Sequence, residues 1–476
     1  MKKIILSLFI GLTLHFNLLS QDTSFVEVWA FYGENAPEWF TDGSEVEEGD
    51  NSFGGVERGI AYSEYSGHLY VSSRHAEDTD NDGILDQGEP HVYILDPLTG
   101  KAPMIGVSQL LTQGITSSDP DFGGGYPLNS VVTTPDGSIF ASNMTLASGP
   151  DIVGDDNAVT VKAFRVYRWS WEQDVPKMII NYDEGGYRIG DKFSVHGNWD
   201  TEAAIYAAPG DADKVLRWTV SGGVVASEPE VIVLKGITNA GTSITVADVP
   251  SKEDWMYVSG KGFMPTLFTT EGENLTQVQI STADMPSSLL AGRIHEFGDR
   301  LFMAMFSGDQ SAFVFDITKH GENVTDADVI GYTPAFGVKF DNAYGEGAVD
   351  MAVIEDSLHV FISAPSNGIA CYKLRGMSAS GPTNIARITT DSYAVSVYPN
   401  PVTTEATVKY TLPANAKGPV AVKIFDMSGK FVSITADKAK PGAQEMKINT
   451  QNLGSGTYIY QVVYGNKIGK GKLLVK

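Results

Sequence analysis

The stretch of the chain with the clearest chemistry is an acidic loop, residues 78–89, with the pattern D-x-D-x-D-G-x-x-D-x-x-E. A hard cation such as Ca²⁺ takes about six to eight oxygen ligands, so a chain that wraps around it must offer oxygens at alternating positions. Gly83 would allow the sharp turn in such a loop. The spacing predicts a calcium site formed by Asp78, Asp80, Asp82, Ile84, Asp86 and Glu89. Ile84 would contribute its backbone carbonyl, and the others their carboxylates.

These twelve residues resemble the calcium loops of EF-hand, dockerin and thrombospondin type 3 domains. The flanking segments differ from an EF-hand, because they have the composition of strands and not of helices. The resemblance implies that Glu89 clamps the ion with both carboxylate oxygens. We expect a structural role, in which Ca²⁺ holds a long connection between two strands. The alternative is a solvated acidic turn, although carboxylates this close repel one another without a cation.

The common catalytic sequence motifs are missing from the sequence. No H-E-x-x-H, G-x-S-x-G, G-x-G-x-x-G or P-loop pattern occurs. The eight histidines are scattered, without the spacing of zinc ligands. Cys371 is the single cysteine and lies in an apolar run, so we interpret it as a small buried hydrophobe. Whether the chain is an enzyme therefore stays open.

The acidic loop interrupts a unit of four predicted short strands, residues 59–107, whose fourth and weakest strand is predicted at residues 104–107. Runs such as GIAY, LYVS and VYIL are β-branched or aromatic, and Gly, Pro, Asp and Ser separate them, which is typical of strands joined by tight turns. The pattern returns about five more times. The first strands of these units are predicted at residues 59–63, 128–133, 193–196, 243–248, 292–297 and 348–354.

Short sheets of this kind cannot bury a face alone, and radial stacking solves the problem. The repeats predict an all-β fold with a β-propeller of about six blades. The sixth unit ends after its third strand, and a lone strand at residues 25–32 could supply the fourth and close the ring. Five or seven blades, or a pair of β-sandwiches, are the alternatives.

In a propeller the first strand of each blade lines the central channel, and ligands bind at its mouth. The polar residues on or beside these strands are our candidates for ligand binding: Arg58, Asp191, His196, Arg293, His295, Glu346 and Asp350. Such a set could bind an anionic or sugar ligand or perform acid–base chemistry. Alternatively, they are channel-lining polar groups with water between them. Trp169 and Trp171 offer a second surface for sugars, unless they belong to the core.

Residues 58–62 (RGIAY), 67–74 (GHLYVSSR) and 92–100 (VYILDPLTG), with 164–169 (FRVYRW), resemble an uncharacterised propeller-like domain family of secreted Bacteroidetes proteins. The resemblance covers about residues 24–376 and carries no known activity.

The last 80 or so residues change character. Residues 377–393 lack periodicity and are predicted to be a linker. From residue 394 the chain has 11 lysines and 4 acidic residues, with the motifs YPNP at 398–401, IFDMSGK at 424–430 and a lysine-flanked terminal strand. These motifs resemble the type A C-terminal sorting domain of the type IX secretion system. The resemblance implies a β-sandwich over residues 394–476, recognition by the type IX secretion machinery, and export across the outer membrane.

The N-terminus and the charge agree with export. Residues 1–21 begin with two lysines, continue with an apolar run and end in a polar segment, as a signal peptide does. No later run is long enough to be a transmembrane segment. Residues 1–393 carry 23 basic and 54 acidic side chains, a net charge of −31, which argues against nucleic acid as a partner.

Together these features predict four segments: a signal peptide (1–21), a propeller (22–376), a linker (377–393) and a sorting domain (394–476). We expect a protein that is secreted or anchored to the outer-membrane surface and acts as a binding or scaffold module, with a glycan or protein ligand. The alternative is an extracellular polysaccharide lyase or hydrolase on the same fold. The fold by itself does not decide between a binding module and an enzyme.

Overall fold

A computed structural model of the chain describes residues 25–32, 35–40, 57–73, 76–77, 86–87, 90–103, 106–115, 128–145, 163–183, 188–250, 252–281, 289–336, 346–374, 394–414, 416, 419–427, 431–464 and 467–476. The predicted all-β fold is confirmed, because the described residues contain no α-helix and nearly all regular structure is antiparallel. Two short 3₁₀ turns, Gly321–Asn323 and Asp326–Asp328, precede a strand. The predicted signal peptide and linker lie outside the described residues.

The body of the protein, up to residue 374, is built from short strands, as the β-branched and aromatic runs predict. In chain order they are β1 (Phe25–Phe31), β2 (Glu57–Tyr62), β3 (Leu69–Ser73), β4 (Ala76–Glu77), β5 (Asp86–Gln87), β6 (His91–Leu95), β7 (Ser130–Thr133), β8 (Ile139–Ser142), β9 (Phe164–Trp169), β10 (Lys177–Tyr182), β11 (Phe193–Gly197), β12 (Glu202–Ala207), β13 (Lys214–Ser221), β14 (Val224–Val225), β15 (Glu230–Val233), β16 (Thr242–Val249), β17 (Lys252–Lys261), β18 (Phe263–Thr269), β19 (Asn274–Gln277), β20 (Leu290–Phe297), β21 (Arg300–Phe306), β22 (Ala312–Asp316), β23 (Val329–Tyr332), β24 (Ala348–Ile354), β25 (Ser357–Ala364) and β26 (Gly368–Leu374).

These strands form six main sheets, numbered here along the chain. The first is β2-β3-β6, the second β7-β8-β9-β10, the third β11-β12-β13 with β14 and β15, the fourth β16-β17-β18-β19, the fifth β20-β21-β22-β23 and the sixth β24-β25-β26-β1. Within each sheet consecutive strands are hairpin neighbours, so the pairing is local. The N-terminal strand is the exception, because β1 pairs with β26 and takes the place of the missing fourth strand.

One strand differs from its prediction. The fourth strand of the first sheet was expected within residues 104–107, but the chain meets β6 further on, through a bridge between Tyr93 and Gln109. Ile94 N–H donates to Ser108 O over 2.8 Å and Leu110 N–H donates to Val92 O over 2.9 Å. Because the turn after β6 makes its own hydrogen bonds, from Gly100 N–H and Asp96 N–H, the pairing starts later.

The sheets pack face to face through apolar clusters, each shared by two consecutive sheets. Trp169 and Ile94 join the first and second sheets, and Phe164 and Trp218 join the second and third. Similar clusters join the third to the fourth, the fourth to the fifth and the fifth to the sixth. A further cluster joins the sixth sheet to the first, through Trp29, Ile60 and the buried Cys371.

The first strand of every sheet contacts the first strands of its neighbours. β2 contacts β7 and β24, β11 contacts β7 and β16, and β20 contacts β16 and β24. The approach is close at Gly59 of β2, where an added Cβ would lie 2.7 Å from Val131 N and 2.3 Å from Ser72 Oγ. Only a residue without a side chain fits there, and so the glycine lets the first two sheets pack. We call β2, β7, β11, β16, β20 and β24 the inner strands.

The C-terminal segment has its own core. Its strands are β27 (Ser396–Tyr398), β28 (Glu405–Leu412), β29 (Pro419–Phe425), β30 (Phe431–Lys438), β31 (Gly442–Asn449), β32 (Gly456–Tyr464) and β33 (Lys467–Val475). They form two sheets, β27-β28-β31 and β30-β29-β32-β33. Alternate side chains of β28 are buried, and with Val422 and Val462 they form one apolar cluster between the sheets, as in a sandwich.

Candidate functional site

A cavity lined by both charged and apolar groups lies where the inner strands converge. Its volume is about 400 Å³. Every inner strand or the turn that follows it contributes to the wall, mostly from its C-terminal part. The charged or titratable lining residues are Tyr62, Glu64, His196, Asp248, Arg293, His295 and Asp350. Four of them, His196, Arg293, His295 and Asp350, are among the candidates that the sequence predicts.

Strand periodicity positions these groups. Side chains alternate between the two faces of a strand, so residues two apart share a face. Arg293 and His295 are two apart on β20, and both line the cavity. The inner strands are held in register near the cavity by Thr133 Oγ1, which donates to Tyr62 O over 2.6 Å.

The first polar pair is His196 with Asp248, on the neighbouring strands β11 and β16. His196 Nδ1 lies 3.6 Å from Asp248 Oδ2, and the two side chains are 24% and 34% exposed. His196 Nε2 lies 3.3 Å from Val246 O. Asp248 Oδ1 is buried and has no hydrogen-bond partner among the residues that the structure describes.

The second pair is His295 with Glu64. His295 Nε2 on β20 lies 3.7 Å from Glu64 Oε1, which follows the end of β2. Glu64 is 64% exposed and His295 is 17% exposed, so the carboxylate belongs to the rim and the imidazole to the wall. The loop after β2 thus reaches past β24 towards the fifth sheet.

Arg293 and Asp350 form the floor. Tyr62 N–H donates to Asp350 Oδ2 over 2.8 Å, and Met351 N–H donates to Oδ1 over 2.9 Å. Burial raises the pKa of Asp350, although Arg293 and these hydrogen bonds oppose the shift. Burial lowers the pKa of Arg293, and Asp350 opposes that shift. Both side chains keep some exposed surface because they face the cavity.

The other three predicted residues, Arg58, Asp191 and Glu346, lie beside the N-terminal ends of inner strands and do not line this cavity. All three are buried. Arg188 donates two hydrogen bonds of 2.6 Å to Asp191, and Ser243 Oγ donates to Glu346 over 2.5 Å. The seven candidates therefore divide into two groups at opposite ends of the inner strands.

Lys192 lies with Arg58, Asp191 and Glu346, although the sequence analysis did not single it out. It is buried, and its Nζ donates to Arg58 O over 3.3 Å. Burial lowers its pKa to about 8, against the opposing effect of Glu346 and Asp191. Lys192 and Arg293 also line a smaller cavity of about 10 Å³, which has room for about one water molecule.

Sequence reasoning also missed Glu64 and Asp248. Asp248 ends the fourth predicted inner strand, at the position where the third inner strand has His196. That shared position, near the C-terminal end of an inner strand, is the signal that could have found it. Glu64 carried no such signal, because it lies in a turn and its side chain reaches the site only through the fold.

A short hairpin overlaps the predicted calcium loop, residues 78–89, because β4 ends just before the loop and β5 lies within it. β4 and β5 pair in an antiparallel hairpin inserted between β3 and β6, with Ala76 opposite Gln87 and Glu77 opposite Asp86. Asp86 is described through its backbone alone, and the other predicted ligands lie outside the described residues: Asp78, Asp80, Asp82, Ile84 and Glu89. Among the described residues, no cluster of three or more His, Cys, Asp or Glu side chains could hold a metal ion.

The two tryptophans that the sequence singled out differ, because Trp169 belongs to the core and Trp171 is half-buried. Trp169 is buried between the first two sheets, and its Nε1 donates to Leu111 O over 2.7 Å. Trp199 is buried beneath the guanidinium of Arg168, whose Cζ lies 4.4 Å from the ring centroid. Neither ring offers an open face to a sugar.

Two family models match parts of the chain. Residues 396–476 match the secretion system C-terminal sorting domain, which confirms the resemblance drawn from the YPNP and IFDMSGK motifs. Residues 133–264 match a domain of unknown function, DUF8500. No curated protein sequence matches the chain.

Several solved structures resemble the chain at low sequence identity. A DUF4623 family protein from Bacteroides eggerthii is 18% identical, with a TM-score of 0.50 and 74% of each chain covered. A GH43 β-xylosidase/α-arabinofuranosidase from a compost microbial metagenome is 10% identical, with a TM-score of 0.33, covering 50% of this chain and 88% of that chain. A GH43_1 enzyme from Xanthomonas citri is 11% identical, with a TM-score of 0.30, covering 67% and 86%. At these TM-scores the two enzymes support no conclusion about this chain.

The sorting domain identifies the localisation of the protein. It marks a secreted or outer-membrane-surface protein and implies an interaction with the type IX secretion machinery. No helix in the described part of the chain is long and apolar enough to cross a membrane. The chain is thus an exported protein whose residues 396–476 match the sorting domains of type IX secretion and whose residues 133–264 match a domain of unknown function.

Proposed function

We propose that residues 22–376 form a six-bladed β-propeller closed by the N-terminal strand, and that the mouth of its central channel binds an extracellular ligand. Six sheets, inner strands that contact one another in a cycle, and an apolar cluster between the sixth and first sheets support this architecture. The cycle would leave few open sheet edges, which is the usual advantage of a propeller.

The observation that carries the proposed function is the cavity of about 400 Å³ whose wall comes from all six inner strands. Ligand sites are concave, with apolar walls and a few placed polar groups, and this cavity has that composition. A purely structural scaffold would have no reason to keep two histidine–carboxylate pairs at the mouth of a cavity. A binding module for a glycan or protein segment outside the cell fits these groups better.

The test is a binding panel of polysaccharides, glycopeptides and peptides with the whole chain, in the presence of calcium. A panel member should bind, and the double variant His196→Ala/His295→Ala should weaken it at least tenfold. The matched control is Glu228→Gln, an exposed carboxylate between β14 and β15. Equal binding by the double variant, or no binding by any panel member, would overturn the proposal.

A second candidate is an extracellular hydrolase or lyase at the same mouth. The observation that favours it is Asp350, a carboxyl group whose pKa burial raises, beside a cavity that also holds two imidazoles. Such groups serve as general acids and bases. Product release in the same incubations would select this candidate, and loss of product in Asp350→Asn would place the chemistry.

We also propose that Ca²⁺ binds the loop at residues 78–89 and stabilises the hairpin of β4 and β5. The donor set supports this, because oxygen ligands at alternating positions suit a hard cation. The hairpin would close the loop at its base, so that the ion would have a fixed frame.

A further inference from the structure

The proton positions at His196 limit what can bind beside it. Its Nε2 faces the carbonyl of Val246 at 3.3 Å, and a carbonyl oxygen only accepts hydrogen bonds. Nε2 therefore carries the hydrogen, and in the neutral ring Nδ1 is a bare acceptor. That acceptor lies 3.6 Å from Asp248 Oδ2, which is also an acceptor. A donor between the two atoms would satisfy both.

Asp248 has a further unsatisfied oxygen. Oδ1 is buried without a hydrogen-bond partner in the described part of the chain, and Oδ2 faces the acceptor Nδ1 of the neutral His196 ring. An uncompensated carboxylate beside a low-dielectric wall attracts positive charge strongly. The site is therefore complementary to a positively charged group with several hydrogen-bond donors.

The charge and the apolar surface of the other cavity-lining residues also favour such a ligand. Its carboxylates are Glu64, Asp248 and Asp350, against the single guanidinium of Arg293, so the lining carries a net charge of −2 when both histidines are neutral. The remaining wall is largely aliphatic: Ala61, Val132, Pro135, Val195, Ala247, Val249, Pro250, Ile294 and Met351. Tyr62 is the one aromatic lining residue, and its ring is stacked on Phe361 with the centroids 5.8 Å apart. The wall suits an alkyl chain better than a sugar ring.

We propose that the channel mouth binds a primary ammonium group on an aliphatic stem, either a free alkylamine or the lysine side chain of an extracellular peptide. This inference rests on the proposed function and names its ligand class. An ammonium has three donors and no acceptor. Because Oδ2 of Asp248 and Nδ1 of His196 are 3.6 Å apart, one nitrogen can lie about 2.9 Å from both. The stem would lie along the aliphatic wall, as lysine stems do on apolar surfaces.

A lysine of this chain already lies at the rim. Lys423, on β29 of the C-terminal sandwich, donates from Nζ to Glu64 O over 3.3 Å. Burial lowers its pKa to about 8, and the Glu64 carboxylate opposes that shift. The rim therefore accommodates an ammonium on an aliphatic stem.

The experiment measures binding of two probes to the whole chain by calorimetry at pH 8: 1,5-diaminopentane and Nα-acetyl-lysine N-methylamide. The analogues are 1-pentanol and the Nε-acetylated lysine derivative, which keep the stem and lose the charge. We expect the ammonium probes to bind at least tenfold more tightly than these analogues. A preference for one probe over the other identifies free amine or peptide lysine as the source.

Two variants test the placement. Asp248→Asn should weaken ammonium binding at least tenfold, and Glu64→Gln, at an exposed position, should weaken it several-fold. Glu228→Gln should leave binding unchanged. Thermal unfolding of Asp248→Asn shows whether a loss of binding is merely a loss of fold, and in that case Glu64→Gln decides.

Acid should weaken the binding. As the pH is lowered from about 8 to about 5, proton uptake by Asp350, whose pKa burial raises, reduces the negative charge of the cavity that attracts the ammonium group. The remaining charged groups that face the rim, Arg293 and Lys423, are positive throughout most of this range and do not reverse the sign.

Ammonium probes that bind no better than the uncharged analogues, or that bind Asp248→Asn as well as the unaltered chain, would overturn the inference. If a glycan or neutral peptide of the panel binds through His196 and His295 while the amines do not, the inference fails and the proposed function stands. If neither amines nor panel members bind, both fail.

Discussion

Trp29 Nε1 donates to Pro97 O over 2.8 Å, and this hydrogen bond links a strand of the sixth sheet to the turn that follows the third strand of the first sheet. The indole also packs in the apolar cluster that joins these two sheets, with Ile60 and Cys371. The sixth and first sheets are thereby held together through two residues that lie 68 positions apart in the chain.

Trp29→Ala should lower the free energy of unfolding by about 3–5 kcal/mol, because it removes a buried aromatic side chain and leaves a cavity. Val28→Ala, at an exposed neighbour on the same strand, should change it by less than about 0.5 kcal/mol. Urea denaturation of the whole chain measures both. Similar losses in the two variants would mean that β1 does not hold the sixth and first sheets together.

Glu172 links the first and second sheets. His68 Nδ1 lies 2.6 Å from Glu172 Oε1, and Tyr70 O–H donates to the same oxygen over 2.6 Å. Burial would raise the pKa of Glu172, but His68 and the hydrogen bonds outweigh it, and the pKa is lowered. Glu172→Gln should cost about 3–5 kcal/mol at pH 7, as for a buried pair that loses one partner.

The sign of the pH dependence follows from that lowered pKa. The contribution of Glu172 is present above the ordinary glutamate pKa of about 4.3 and is lost as the pH falls through its lower value in the folded protein. The difference between the unaltered chain and Glu172→Gln should therefore shrink from pH 7 to pH 3. A constant difference in urea denaturation would show that the charge of Glu172 has no part in it.

Lys192 should make the protein more stable in mild alkali. Its pKa is lowered from 10.5 to about 8, so between these values the unfolded chain binds a proton that the folded chain does not. Stability then rises with pH across this window, by roughly 3 kcal/mol at most at about 1.4 kcal/mol per pKa unit.

The check for Lys192 is a comparison of slopes. Unfolding of the unaltered chain and of Lys192→Met is measured from pH 7.5 to pH 10.5, and the rise should be smaller in the variant. Lys235→Met, at a lysine that is 59% exposed, should keep the slope of the unaltered chain. An unchanged slope in Lys192→Met would contradict the burial argument.

Calcium removal should lower the melting temperature. A ligand that binds only the folded state stabilises it by about 2.7 kcal/mol at a hundred times its Kd. Chelation of the whole chain should remove this contribution, and added Ca²⁺ should restore it. Asp80→Asn/Asp82→Asn should melt at the lower temperature with or without chelator. A melt that responds to neither treatment rules out a calcium site at residues 78–89.

The strands were predictable because their signals are local. Alternation and turn residues within ten positions place β24 at its predicted boundaries, residues 348–354, and hairpin pairing follows from chain order. The fourth strand of the first sheet was misplaced, because the hydrogen bonds of a turn, and not strand propensity, decide where pairing begins at Gln109.

By itself, the sequence determined the all-β class, the sorting domain and the destination of the protein, since composition, short-range periodicity and linear motifs carry them. Only the tertiary structure decided which polar groups meet. His196 and Asp248 are 52 positions apart and Glu64 and His295 far more, yet each pair closes to under 4 Å. Contacts between neighbouring sheets depend on how apolar faces stack across the whole body, and no local pattern specifies that.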